Sequence, residues 1–282
     1  MSLRTMRHVA LPAGELIPVL GQGTWHMAEI REQRAEEIAT LRLGIDLGVT
    51  LIDTAEMYAE GDAERLVGEA IAGRRDEVFL VSKVLPSNAT RRGTIDACRA
   101  SLRRLKTDRL DLYLLHWRGT APLWQTIEAF TELVERGWIR YWGVSNFDVM
   151  DLIELWKIPR GTDAQTDQVL YNLARRSPEY NLLPWCREQS LPVMAYSPMD
   201  QGRVLTHPAV RGVAERHGIT PAQVALAWLI RQRLVCAIPK SGSRAHVAEN
   251  VGALGVSLNP ADRLELDLAF PPPLAGRPLE AG

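Results

Sequence analysis

Short apolar runs alternate with longer stretches of helical periodicity from residue 20 to residue 254. Runs that read as strands fall at 20–24, 49–53, 78–83, 110–116, 139–145, 164–169, 192–196 and 235–239. Between them, helical patterns lie near 32–47, 62–72, 90–105, 121–136, 148–158, 181–189, 208–232 and 243–254. Eight strands, each followed by a helical segment, predict an α/β fold with a parallel sheet closed on itself, a (β/α)8 TIM barrel. Ahead of this series, RHVAL and LIPVL flank the turn PAGE and read as an N-terminal β-hairpin. Thr220-Pro221-Ala222-Gln223 carries an N-cap threonine, proline at the first helical position and a glutamine able to close a capping box. Asn259-Pro260-Ala261-Asp262 starts an extra C-terminal helix through about Phe270. The remainder, PPPLAGRPLEAG, is proline-rich and expected to lie extended over the surface. With no linker, repeat or low-complexity stretch, residues 1–282 read as one domain.

Composition narrows the function classes. The 282 residues suit one eight-fold barrel, and 46% apolar with 24% charged residues is the balance of an ordinary globular domain. A net charge of −1 offers neither a nucleic-acid footprint nor an acidic tail. Apolar runs fall short of the roughly 20 residues that cross a bilayer. The first twenty residues hold no continuous apolar core, so a cytoplasmic protein is expected, with no membrane partner. Cys98, Cys186 and Cys236 are widely spaced and read as buried reduced thiols. Histidines and cysteines show no metal-ligand spacing, so no metal is expected. The absence of an apolar surface stripe predicts a monomer.

Four polar side chains sit where predicted strands run out: Asp53, Tyr58, Lys83 and His116. They follow the apolar runs VTLID then TAEMY, VFLVSK and LDLYLLH. Lys83 is the more telling because only Lys83, Lys106, Lys157 and Lys240 are lysines among 33 basic residues. Period-two alternation puts Leu110, Leu112 and Leu114 on the same face as His116, at the rim of a leucine-packed surface. Chemistry at the carboxyl ends of several strands is the habit of barrel enzymes. A phenol is a reluctant acid near neutrality, and a nearby ammonium favours its phenolate. Lys83 supplies that ammonium in this reading, Asp53 keeps it charged, and His116 orients a carbonyl oxygen by hydrogen bonding. Such a set protonates a developing alkoxide and calls for a hydride source. Each member taken singly has a structural explanation as a cap, a rim aromatic or a core partner; the ensemble carries the reading.

The chain resembles the aldo-keto reductase superfamily over nearly its whole length. The matching segments are GQGTW (21–25), LIDTAEMY (51–58), VFLVSKV (78–84), LDLYLLHW (110–117), WGVSNF (142–147), QVLYN (168–172), AYSP (195–198) and IPKSGSRAHVAEN (238–250). The resemblance implies a (β/α)8 barrel and NADPH-dependent reduction of small aldehydes or ketones, with the catalytic tetrad on Asp53, Tyr58, Lys83 and His116 and Tyr58 as the acid. It puts the nucleotide contacts on Gly23, Thr24, Asp53, Ser145, Asn146, Gln168, Tyr196, Ser197, Gln201, Lys240, Ser241, Ser243, His246, Glu249 and Asn250. Among these, Tyr196 stacks on the nicotinamide while Ser145, Asn146 and Gln168 hold its carboxamide. Glu249 and Asn250 approach the adenine. Trp25 and Trp117, with Tyr58 and His116, resemble the walls of the family's substrate pocket. Residues 21–25 lack the third glycine of G-x-G-x-x-G, so a Rossmann loop is not expected; loops after strands seven and eight suit the phosphates instead.

Two features depart from the family pattern. His246 stands where many relatives carry the arginine of K-S-x-x-x-x-R-x-x-E-N, and an imidazole is only partly charged near neutrality. Arg244 lies two positions earlier, off the helical face of His246. NADPH preference then rests on Lys240, with NADH as a weaker alternative. Only HWRGTAP separates strand four from its helix, which predicts an open mouth like that of small bacterial reductases of 2-oxoaldehydes and keto sugars. Two other classes remain open at this point: a nicotinamide-nucleotide-binding barrel acting as a sensor or regulatory subunit, and a barrel lyase using Lys83 or Lys240 as a Schiff-base amine.

Overall fold

The computed structural model describes residues 6–275 and 279–280. The hairpin forms as read: β1 (His8–Ala10) pairs antiparallel with β2 (Leu16–Pro18). Eight parallel strands follow in sequential order: β3 (Gln22–Gly23), β4 (Leu51–Asp53), β5 (Phe79–Val84), β6 (Leu110–Leu115), β7 (Ile139–Ser145), β8 (Asp167–Leu170), β9 (Val193–Tyr196) and β10 (Val235–Ala237). The sheet closes where Leu20 bridges Ala237 and Gly23 bridges Lys240, both parallel. Three backbone bonds seal this seam: Ala237 N–H to Val19 O, Gly21 N–H to Ala237 O, and Gly23 N–H to Pro239 O. A Cβ on Gly23 would stand 2.7 Å from the carbonyl oxygen of Ile238, so the strands meet this closely only because that atom is missing. The sequence-predicted barrel is thus present, although its first strand is a two-residue ladder extended by isolated bridges.

Helices sheathe the strands: α1 (Arg34–Asp46), α2 (Asp62–Ala70), α3 (Arg91–Leu105), α4 (Leu123–Glu135), α5 (Val149–Trp156), α6 (Leu182–Glu188), α7 (Pro208–His217), α8 (Pro221–Ile230), α9 (Arg244–Gly252) and α10 (Pro260–Ala269). Capping boxes open three of them: Asp148 with Asp151, Thr220 with Gln223, and Asn259 with Asp262. The segment 208–232, read as one helical stretch, is two helices. Gly218 takes a left-handed conformation (φ 59°) that ends α7, and the Thr220 cap then restarts the chain as α8. Residues 276–278 and 281–282 lie outside the described residues, while Glu280 binds Arg175 and Leu279 packs on the core.

The core fills the barrel and the helix–sheet layer. Every residue of β5 and β6 is buried, Leu110, Leu112 and Leu114 included. The three cysteines are buried free thiols, as expected. One buried acid is poorly served. Asp167 on β8 accepts only a long 3.4 Å bond from the Phe147 N–H, and its Oδ2 has no partner among the described residues. Burial pushes its pKa well above the ordinary carboxyl value of 3.8. A raised folded-state pKa means that the fold tolerates Asp167 fully below the unfolded value and loses stability as pH rises through the folded one. Asp167→Asn is therefore expected to stabilise the protein by roughly 1–3 kcal/mol at neutral pH. Its advantage should fade in acid, and denaturant titrations at the two pH values check both parts.

Candidate active site

The four polar side chains reach one place from three strands. Asp53 ends β4, Lys83 is the fifth residue of β5, and His116 follows β6 directly. Tyr58 departs from expectation. It sits on no strand end but opens a short 3-10 turn (Tyr58–Gly61) in the loop after β4. That loop is held from outside: the Glu56 carboxylate accepts from Leu85 N–H at 2.7 Å and Asn88 Nδ2 at 3.0 Å, tying it to the loop after β5. Ala59 and Glu60 take left-handed conformations (φ 45° and 53°) directly after Tyr58, a sharp reversal that the tied loop maintains.

Lys83 is fully buried and donates three hydrogen bonds. Its Nζ lies 2.6 Å from Asp53 Oδ2, 3.0 Å from the Thr54 carbonyl and 3.1 Å from Tyr58 Oη. An ammonium has three hydrogens and no acceptor, so the set is complete and Tyr58 Oη is the acceptor in its contact. The phenolic hydrogen of Tyr58 is left to point elsewhere. Asp53 spends its other oxygen on Gln168 Nε2 at 2.8 Å. A continuous path of Tyr58, Lys83, Asp53 and Gln168 results.

Electrostatics assign different characters to these groups. For Lys83, burial alone would lower the pKa, but Asp53 and Tyr58 outweigh it and hold the ammonium above its ordinary value. For Tyr58, burial raises the pKa above 10, while the Lys83 charge opposes the rise and does not overcome it. Lys83 thus acts in the expected direction, favouring the phenolate, but desolvation is larger. For His116, burial and then the Lys83 charge push the pKa down to about 3, so the imidazole is neutral at physiological pH. Its Nδ1 is buried with no partner among the described residues, which leaves Nε2 as the nitrogen able to meet a ligand.

A cleft of about 290 Å³ opens over this group. Gly23, Thr24, Asp53, Ser145, Asn146, Gln168, Tyr196, Ser197 and Lys240 line it, together with Trp25, Tyr58, His116 and Trp117. Met57 and Ile238 also line it and were not foreseen; the only sequence signal for Met57 is its place beside Tyr58. The polar residues of the β7–β9 rim are already organised. Asn146, left-handed at φ 60°, donates to the His116 carbonyl at 3.1 Å and accepts from Tyr196 Oη at 2.9 Å. Ser145 Oγ donates to the Gln168 carbonyl at 2.7 Å.

The other sequence-predicted residues lie away from this lining. Ser241 and Asn250 border a small crevice with Gly21, Gln22 and Val247, and Asn250 is buried. Ser243 stands at the N-cap position of α9, yet its side chain caps nothing there. His246 and Gln201 are exposed, and the Glu249 carbonyl accepts from Gln223 Nε2 at 3.0 Å. Lys240 makes no ion pair among the described residues. The rim therefore fits a nicotinamide nucleotide: an amide-rich end beside Tyr58, and a free ammonium ahead of a helix N-terminus at the other.

Comparison with known proteins agrees with this geometry. The sequence profile described as Aldo/keto reductase family matches residues 19–268. Methylglyoxal reductase YeaE of Escherichia coli (strain K12) is 53% identical over 262 residues, which cover 91% of this chain and 92% of that protein. Glyoxal reductase of Bacillus subtilis (strain 168) is 31% identical, over 92% of this chain and 91% of that one. A crystal structure of an aldo/keto reductase from Klebsiella pneumoniae, in complex with NADP and acetate, superposes with a TM-score of 0.96 at 48% identity, covering 99% of this chain and all of the other. On the profile match, the shared barrel and the extent of these identities, the chain belongs to the aldo/keto reductase family.

Proposed function

We propose that this chain is an NADPH-dependent reductase of small carbonyl compounds, acting on 2-oxoaldehydes of the methylglyoxal kind. The observation that carries the reading is the saturated Lys83: all three of its hydrogens are committed, one to Tyr58 Oη, so the phenolic hydrogen is available to the cleft. Bound along the β7–β10 rim, NADPH supplies a hydride to the carbonyl carbon. Ser145, Asn146 and Gln168 hold the nicotinamide amide, and Tyr196 packs on its ring. Gly23, Thr24 and Ser197 shape the groove. Lys240, Ser241 and Ser243 receive the 2′-phosphate, with Glu249 and Asn250 toward the adenine; exposed His246 is a weak substitute for an arginine.

Tyr58 donates its proton to the carbonyl oxygen as the carbon–oxygen π bond breaks and a new C–H bond forms. The phenolate left behind is stabilised by Lys83 at 3.1 Å and takes its next proton from solvent. Neutral His116 donates a hydrogen bond that sets which face of the carbonyl is presented, and a pKa of about 3 removes it as the acid. Trp25, Met57 and Trp117 form apolar walls around a small substrate. Mixing the purified protein with NADPH and methylglyoxal is expected to give saturable nucleotide oxidation, one equivalent per alcohol formed. Nucleotide binding with no oxidation by methylglyoxal, glyoxal or 4-nitrobenzaldehyde would instead favour a sensor barrel. The lyase reading is disfavoured at Lys83, whose ammonium is held charged by Asp53 and so has no lone pair for attack; borohydride trapping tests Lys240.

A further inference from the structure

Helix α1 packs against α9 and brings two carboxylates near the start of that helix. Glu36 Oε1 accepts from Arg244 Nε at 3.0 Å, and Arg244 is the first residue of α9, directly after Ser243. Glu37 is almost wholly buried, with Oε2 taken by the Ala28 N–H at 2.9 Å. Its Oε1 lies 3.9 Å, and Lys240 Nζ 3.5 Å, from the point where a Cβ on Gly242 would stand. Of the cations near the start of α9, Arg244 is the one held by an α1 carboxylate among the described residues. His246, the residue in the family's arginine position, is exposed.

The 2′-phosphate is what separates NADPH from NADH. A guanidinium binds such a group through two parallel N–H bonds, which a carboxylate already holding it hinders. We propose that Glu36 is a specificity-determining residue: by holding Arg244 on α1, it keeps that guanidinium off the 2′-phosphate and so limits how far NADPH is favoured over NADH. This rests on the reading that Lys240 and the start of α9 receive the phosphate. Both partners are well exposed, at 59% for Arg244 and 45% for Glu36, and only one nitrogen engages, so the pair is weak and exchangeable. The Glu36 carboxylate is held below its ordinary pKa by the Arg244 hydrogen bond, so it stays charged and keeps its hold on the guanidinium near neutrality.

The test measures dissociation constants for NADPH and NADH in wild type, Glu36→Gln, Arg244→Ala, the double variant and Lys240→Ala. Glu36→Gln is expected to tighten NADPH by about five-fold relative to NADH, as one surface charge pair is released. That gain should vanish when Arg244→Ala is added. An unchanged nucleotide ratio in Glu36→Gln, or a gain that survives removal of Arg244, would overturn the inference. Lys240→Ala separates the two layers. A loss confined to NADPH upholds the phosphate placement, whereas equal losses for both nucleotides would bring down that placement itself.

Discussion

Tyr58→Phe is expected to lower kcat for methylglyoxal by about 10²–10⁴-fold, the usual worth of a positioned general acid. NADPH affinity should stay within about two-fold of wild type, because the phenol acts on charge that develops only in the transition state. The substitution removes one oxygen from a network in which Lys83 still has Asp53 and the Thr54 carbonyl as acceptors, so the site should hold its shape. Steady-state kinetics with fluorescence titration of NADPH measure both quantities. Wild-type turnover in this variant would remove the phenol from the chemistry.

Lys83→Met is expected to cost both turnover and stability. Lys83 is wholly buried, and Asp53 beside it is 2% exposed, so deleting the ammonium strands a carboxylate in the barrel mouth. Breaking a buried pair from one side costs roughly 3–5 kcal/mol, because the remaining charge loses its counter-ion without regaining water. Turnover should fall by at least as much as in Tyr58→Phe, since the phenolate loses the cation at 3.1 Å. Adding Asp53→Asn to Lys83→Met should restore much of the stability and none of the activity. Denaturant unfolding and turnover of Lys83→Met and the double variant distinguish this from simple loss of folding. Recovery of activity in the double variant would show that the ammonium is dispensable.

Much of this arrangement was legible in the sequence because strand and helix periods differ and the barrel needs one of each in turn. The hairpin was legible because a turn-forming PAGE sits between two short apolar runs. Reading 208–232 as one helical stretch failed because apolar spacing continues across Gly218; the left-handed turn there ends α7, and the helix start already signed at Thr220 opens α8. TAEMY follows the strand read at 49–53 and carries no glycine or proline to mark a reversal. The chain instead needs a turn there to swing the phenol back over Lys83. Asp53, Lys83 and His116 could be picked out from their positions, but the sign of the Tyr58 shift could not, since burial is a property of the assembled barrel. Glu36 and Glu37 were invisible for a related reason: on a helix they read as solvated charges, and only the packing of α1 on α9 brings them to the start of that helix.

The central claim is that a protonated Tyr58, rather than His116, gives the proton. The most direct measurement is the pH dependence of kcat/KM for methylglyoxal, which reports the essential groups of the enzyme before substrate binds. With the phenol held above its ordinary value of 10 and the imidazole down at about 3, kcat/KM should be flat through the neutral range and fall only in strong alkali. A limb at roughly pH 5–8, where an ordinary histidine titrates, that disappears in His116→Gln would contradict the account.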